Sequence, residues 1–184
     1  MRPAALLDAC ALYPVGLRDT LLSVAQAHVF RPLWSAEIIE EVRGAIQRSV
    51  PGADPARIDR MLGQMKAAFP DAMLVGYSNL IPRMTNHAAD RHVLAAAVSG
   101  HADVIVTWNV RHFPPSACRP HGIAVETPDE FLARMCVSDP NAVEAALARQ
   151  VARYIAPPMS VEHLLARHAP RLPGFVAAVL AHRS

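Results

Sequence analysis

Lysine is nearly missing from this chain. Lys66 is alone among 18 basic residues, the rest being arginine. Arg grips phosphate with two parallel N–H groups, but a biased genome composition produces the same count. A formal net charge of +2 is too small to argue for a nucleic-acid partner. Cysteine is scarce: Cys10, Cys118 and Cys136 form no CxxC pair. That excludes a thiolate zinc site and a disulfide framework, and an odd count suits a reducing, cytoplasmic setting. No run of about 18 apolar residues occurs, so no membrane span is expected. The opening MRPAALLD meets an acid too early for a signal peptide. A glycine-rich phosphate loop is missing, and no Ser–His–Asp or Cys–His set is signalled. None of the nine histidines pairs with cysteine at zinc-ligand spacing, and all are read as structural or surface residues.

What remains is 184 residues, 52% hydrophobic and 18% charged, enough for one good core and a small addition. Four short apolar runs read as strands, at 4–7, 72–75, 104–106 and 123–125. None alternates clearly, which suits strands covered on both faces. Helical patterns lie between them. One spans 17–29. One spans 35–46, with Ser35 as cap and Glu37 in its first turn. One spans 55–69, entered from Asp54-Pro55. One spans 91–99, stopped by Gly100. Thr127-Pro128-Asp129-Glu130 is a capping box opening a helix through Met135. Strands alternating with helices predict a three-layer α/β/α sandwich around a mainly parallel sheet.

Asp139-Pro140 begins a different region. Residues 141–154 read as an Ala-rich helix, Pro157-Pro158 breaks it, Ser160 caps a short helix, and a last helix covers 174–182. The chain therefore divides into 1–138 and a helical C-terminal appendage, 139–184. The appendage is read as separable from any chemistry and as serving assembly or partner contact.

In a parallel sheet, ligands collect beyond the carboxyl ends of the strands. Asp8 follows the first strand at once, and Asn109 lies just beyond the 104–106 strand. Asp90 opens a helix, and Glu41 shares a helix face with Glu37 while Glu40 turns away by about 100°. Asp8, Glu41, Asp90 and Asn109 thus point to one edge. Three carboxylates and an amide make an oxygen-only site suited to Mg²⁺ or Mn²⁺. Taken singly, each residue has a plainer role. Asp8 and Asp90 are good helix caps, Glu41 suits a solvated face, and Asn109 is an ordinary turn residue.

The segments LLDACALYP…LRDTLL, WSAEIIEEV, DRHVLAAAVSGHADVIVTWN and FP…TPDEFL, taken in order, resemble a PIN domain over roughly 4–136. The likeness is to the bacterial branch related to VapC-type toxins of toxin–antitoxin pairs. The resemblance implies a cytoplasmic, Mg²⁺- or Mn²⁺-dependent ribonuclease with an RNA substrate, a cognate antitoxin and a homodimeric state. It makes Asp8, Glu41, Asp90 and Asn109 the catalytic and metal-binding set, with Glu40 a weaker claimant than Glu41. Thr107 would support a ligand carboxylate, and Arg111 and His112 would face substrate phosphate, although a solvated loop explains those two as well. Asn109 stands where many relatives carry Asp and others in this branch carry Asn. The chain departs from the pattern in three places. Cys10 stands where relatives often carry Asn or Ser. His87-Ala88-Ala89 replaces an acid-rich approach to Asp90, and His112 replaces an acid. These departures favour a competing reading, a catalytically weakened PIN-like module that binds RNA or protein. A phosphoacceptor or phosphatase-like domain is a third reading, but the phosphate-gripping Lys of such folds is missing.

Overall fold

The structure, a computed structural model, describes residues 2–183. The outer ends of the two expected units, Met1 and Ser184, lie outside the described residues. Strand β1 (Ala4–Leu7) is apolar and wholly buried. Helices α1 (Ala9–Leu12) and α2 (Val15–Gln26) follow, and the chain returns through β2 (Arg31–Ser35). Ser35 then caps α3 (Ala36–Ser49), its hydroxyl accepting the Ile38 N–H at 3.2 Å. Asp54 caps α4 (Pro55–Ala68) in the same way, with proline at the first helical position where no N–H is required. Strand β3 (Met73–Leu74), α5 (Arg91–Ser99), β4 (Val104–Val106), α6 (Pro115–Cys118), β5 (Ala124–Glu126) and α7 (Pro128–Ser138) complete the sandwich. The capping box at Thr127 and Glu130 is present in full. Helix α5 stops at Gly100, where a Cβ would lie 2.7 Å from the end of the Leu74 side chain, which would have to shift to admit it.

All five strands run parallel in the order β3-β2-β1-β4-β5. The first crossovers step outward from β1 to β2 and β3. The chain then jumps back past β1 to β4 and β5. Right-handed connections running in opposite directions put α2 and α5 on opposite faces. The reversal falls between β1 and β4, whose register pairs Leu6 with Ile105 and Leu7 with Val106. The edge beyond Leu7 and Val106 is thus the crevice where such sheets hold ligands.

The three-layer sandwich agrees with expectation, but sequence reading missed β2. Pro32 lies inside it, and proline normally argues against an interior strand. Here the Arg31 N–H bonds to the Pro3 carbonyl on the β1 side. Alternation turns the Pro32 nitrogen to the other side, where β3 begins only opposite Trp34 and Ser35. No ladder bond is lost.

Helices α8 (Pro140–Ala152), α9 (Val161–His168) and α10 (Pro173–Arg183) follow. Helix α8 packs along α2, and α10 along α7. Val143, Ala146, Leu147 and Phe175 are wholly buried there. Buried polar groups also fasten the region. The Thr20 hydroxyl on α2 donates to Gln150 Oε1 at 3.1 Å and meets His168 Nε2 at 2.8 Å. Asp129 on α7 accepts the N–H groups of Gly174 and Phe175 at 3.0 and 2.8 Å, satisfying the start of α10.

This packing makes a prediction about stability. Leu147→Ala deletes a fully buried side chain and should cost about 2–5 kcal/mol. A chain stopped after Ser138 uncovers the α8-facing side of α2 and should lose its cooperative transition in urea. A wild-type midpoint for both variants would show that the last three helices lie outside the core.

Candidate functional site

Asp8 is held in the crevice at every polar atom. Its backbone N–H continues the β1–β4 ladder by donating to the Val106 carbonyl at 3.1 Å. Oδ1 accepts the Ala9 N–H at 2.7 Å and caps α1. Oδ2 accepts the Thr107 hydroxyl at 2.6 Å and the Cys10 thiol at 3.1 Å. The side chain is only 4% exposed. Burial therefore pushes its pKa above the usual carboxylate value, and the nearby Asp90 charge pushes the same way. The bonds from Thr107, Cys10 and Ala9 pull against them.

Thr107 organises this corner. Wholly buried, it also accepts the Asn109 N–H at 3.0 Å. Cys10 Sγ lies 3.2 Å from the Thr107 hydroxyl and accepts the Trp108 N–H at 3.2 Å. Burial, with Asp8 close by, pushes the Cys10 thiol up to about 12.

Asp90 comes to the edge from a different element. It ends a 3-10 turn (Ala88–Asp90) and makes no side-chain cap on α5. Its carboxylate turns instead to two histidines. Oδ2 lies 2.5 Å from His112 Nδ1 and 3.8 Å from His87 Nδ1. Glu41 arrives from α3, with Oε1 3.2 Å from His92 Nε2. The other nitrogen of that ring, Nδ1, lies 3.0 Å from the Ala89 carbonyl, which can only accept. The Glu41 carboxylate, and more weakly Asp8, hold the His92 pKa above its ordinary value against burial. Glu40 is turned away into pairs with Arg43, which also reaches Asp59. In the first turn of α3, Glu37 accepts the Tyr77 hydroxyl, which lowers the Glu37 pKa.

Asp8 feels the Asp90 charge, whereas Glu41 is exposed and reaches this edge only through His92, which feels both Glu41 and Asp8. Asn109 joins through its backbone, opening the 3-10 turn Val110–His112, and is half-buried. Arg111 is exposed. His112 lies against Asp90, the structural one of the two roles expected for the histidines. Sequence reading also missed His87 and His92. His92 follows Asp90 by two positions, a usable local signal. His87 and His112 meet only through the fold. A hollow of about 480 Å³ lined by Cys10, Tyr13, Trp108, Pro170 and Arg171 adjoins the edge.

The Asp90 charge raises the Asp8 pKa, so a hard divalent cation near these two carboxylates would be favoured. Clustered carboxylates repel one another and resist ionisation, and a cation relieves both penalties. The metal-free protein should show this. Asp8 titrates above 3.8 in the folded state, so the folded form binds its proton more tightly than the unfolded form. Its contribution therefore weakens stability above the folded pKa, and the penalty disappears as pH falls towards 3.8. Asp8→Asn should keep or raise the metal-free melting temperature at neutral pH and flatten that acid-side dependence. A clear drop in melting temperature would mean that the bonds to Thr107 and Ala9 outweigh the charge.

Comparison with known proteins follows the same geometry. A sequence model described as PIN domain matches residues 4–111, and one described as VapC50 C-terminal domain matches 128–181. A relative from Mycobacterium tuberculosis (strain ATCC 25618 / H37Rv), named "Putative ribonuclease VapC50", is 42% identical over 106 residues. That stretch is 58% of this chain and 63% of the relative, so the match spans under two thirds of the relative's length. No solved structure matches the chain at significance. The PIN match covers more than half of the chain, including Asp8, Glu41, Asp90 and Asn109, and the chain belongs to the PIN-domain family.

Proposed function

We propose that this protein is a metal-dependent endoribonuclease that hydrolyses RNA phosphodiester bonds, acting as the toxin of a type II toxin–antitoxin pair. The observation that carries the reading is the buried Asp8 carboxylate at the β1–β4 edge, within electrostatic reach of Asp90. The relative named as a ribonuclease supports it. Asp8, Asp90 and Glu41 would hold Mg²⁺ or Mn²⁺, with Asn109 contributing an uncharged oxygen. Bound there, the cation relieves charge on the scissile phosphate and on the leaving oxygen and promotes attack by water.

The chain's own residues set the stage. Thr107 and Cys10 fix one Asp8 oxygen through two donors, so the carboxylate cannot swing when charge arrives. His92 anchors Glu41 from the opposite helix, α5. Arg111, exposed at the rim, supplies a bidentate grip on a neighbouring phosphate. His112 acts on Asp90 first and on substrate only through it. A small antitoxin as partner, a homodimer and a cytoplasmic setting belong to the same proposal. No helix among the described residues is long and apolar enough to cross a membrane.

A second reading is a weakened binding module. Its support is Asn109 in place of an acid and histidines beside Asp90. Cleavage separates the two. Purified protein incubated with structured and single-stranded RNA should cut with Mg²⁺ or Mn²⁺ and stop with chelator. Asp8→Asn and Asp90→Asn should reduce the rate by a factor on the order of 10² or more, as loss of a ligand charge implies. Cutting that persists in chelator sinks metal dependence. Binding without cutting in any metal selects the second reading.

Asn109→Asp tests charge at nearly constant shape. A fourth carboxylate should tighten Mn²⁺ binding in calorimetry and modestly lower metal-free stability. If neither quantity moves, Asn109 does not face the cation.

A further inference from the structure

Two departures from the family pattern, His87 and His112, turn out to be one feature. Their rings stack with centroids 4.2 Å apart and 16° between planes. The His87 N–H donates to the His112 carbonyl at 3.0 Å, tying the loop before α5 to the turn after β4. The Asp90 N–H donates to the His87 carbonyl at 2.9 Å, so all three residues share one backbone frame. Both Nδ1 atoms face the same Asp90 oxygen, at 2.5 and 3.8 Å. One ligand atom from each residue lies within 4.8 Å of the other two.

A carboxylate needs one donor to hold its orientation, and His112 provides it. A second imidazole stacked on the first and aimed at the same oxygen is redundant for that task. It is also costly when both rings are protonated. Two imidazole nitrogens and a carboxylate form a different donor set from the oxygen ligands of Asp8 and Glu41. Imidazole favours borderline ions such as Zn²⁺, Co²⁺ and Ni²⁺ and gives little to Mg²⁺. We propose that His87, His112 and Asp90 form a binding site for a borderline transition-metal ion, next to the oxygen-only position and sharing Asp90 with it.

The adjustment required is small. Metal–nitrogen bonds of about 2.0–2.1 Å put neighbouring ligand atoms roughly 3 Å apart. His112 and Asp90 must open slightly from 2.5 Å, and His87 must close from 3.8 Å. The His87 side chain is 54% exposed, so much of it borders solvent rather than packed neighbours. For the ion to bind, His112 Nδ1 must present its lone pair, the ring then carrying its proton on Nε2. Asp90 has two oxygens, so one residue can serve both positions. The inference deepens the nuclease reading at Asp90 and rests on it only for the consequence in cleavage.

The test uses the full chain, stripped of metal and titrated with Ni²⁺, Zn²⁺ and Mg²⁺ by calorimetry, with melting temperatures measured in parallel. Comparison proteins are His87→Ala, an exposed change that spares the core, and His87→Ala combined with His112→Gln, with circular dichroism checking the fold of each. Wild type should bind Ni²⁺ or Zn²⁺ and melt higher with it. His87→Ala should lose about tenfold in affinity and the double variant more, while Mg²⁺ binding stays level. Equal Ni²⁺ and Zn²⁺ affinity and equal thermal shifts in all three proteins overturn the inference, because other histidines then account for the binding. If the double variant unfolds, His87→Ala alone decides on the same criterion. Loss of Ni²⁺ binding in the variants together with no RNA cleavage in any metal leaves this site standing and overturns the nuclease reading instead.

Discussion

The pairing of β1 with β4 is the constraint from which the site follows. It is made at the point where the chain reverses its direction across the sheet, and it continues one bond past the strands, from the Asp8 N–H to the Val106 carbonyl. That extra bond brings Asp8 and Thr107 side by side. The Thr107 hydroxyl then donates 2.6 Å to a carboxylate that burial has made reluctant to ionise. Strand register thus decides the placement of a charge. A one-residue slip would turn Thr107 to the other face and leave Asp8 buried without its donor. Asp90 and Glu41 are placed by helices α5 and α3, which pack on the same sheet, so the three acids share a frame although their codons are far apart.

Much of this was legible in the sequence, and the reasons differ from element to element. Caps are local: Ser35, Asp54 and the Thr127–Glu130 box bond within a turn of themselves, so their residue types announce them. The 91–99 helix was legible to the residue because Gly100 ends it. Strand β2 was not, because the harmlessness of Pro32 depends on where β3 starts, a fact about another strand. The acids could be nominated from position after a strand or at a helix start. Their rival roles could not be separated there. Asp8 does cap a helix as well as facing the edge, whereas Asp90 caps nothing with its side chain. The stacked histidines left no trace in either local segment. Each looked like the loss of an acid, and only the backbone bond between them makes the two changes one.

The C-terminal helices show how polar groups fix a region that apolar packing alone would leave free to slide. Thr20 reaches both Gln150 and His168 inside the interface. Burial, with Arg167 nearby, lowers the His168 pKa and so disfavours the charged ring. A helix pair held only by leucines has several near-equivalent registers. One with a buried three-way hydrogen-bond junction has a single register, because any shift strands polar atoms away from water.

Cys10 carries a consequence for handling the protein. A thiol beside acidic residues at the strand edge looks like an obvious target for alkylating reagents, peroxide or mixed-disulfide formation. All three reactions proceed through the thiolate, and with its pKa pushed up to about 12 Cys10 supplies almost none at neutral pH. Its proton is in use, donated to Asp8, and its lone pairs receive the Trp108 N–H. The sulfur behaves as a hydrogen-bonding group of unusual size. In the metal-free protein this thiol is therefore a poorer target for thiol-directed labels than an ordinary free cysteine.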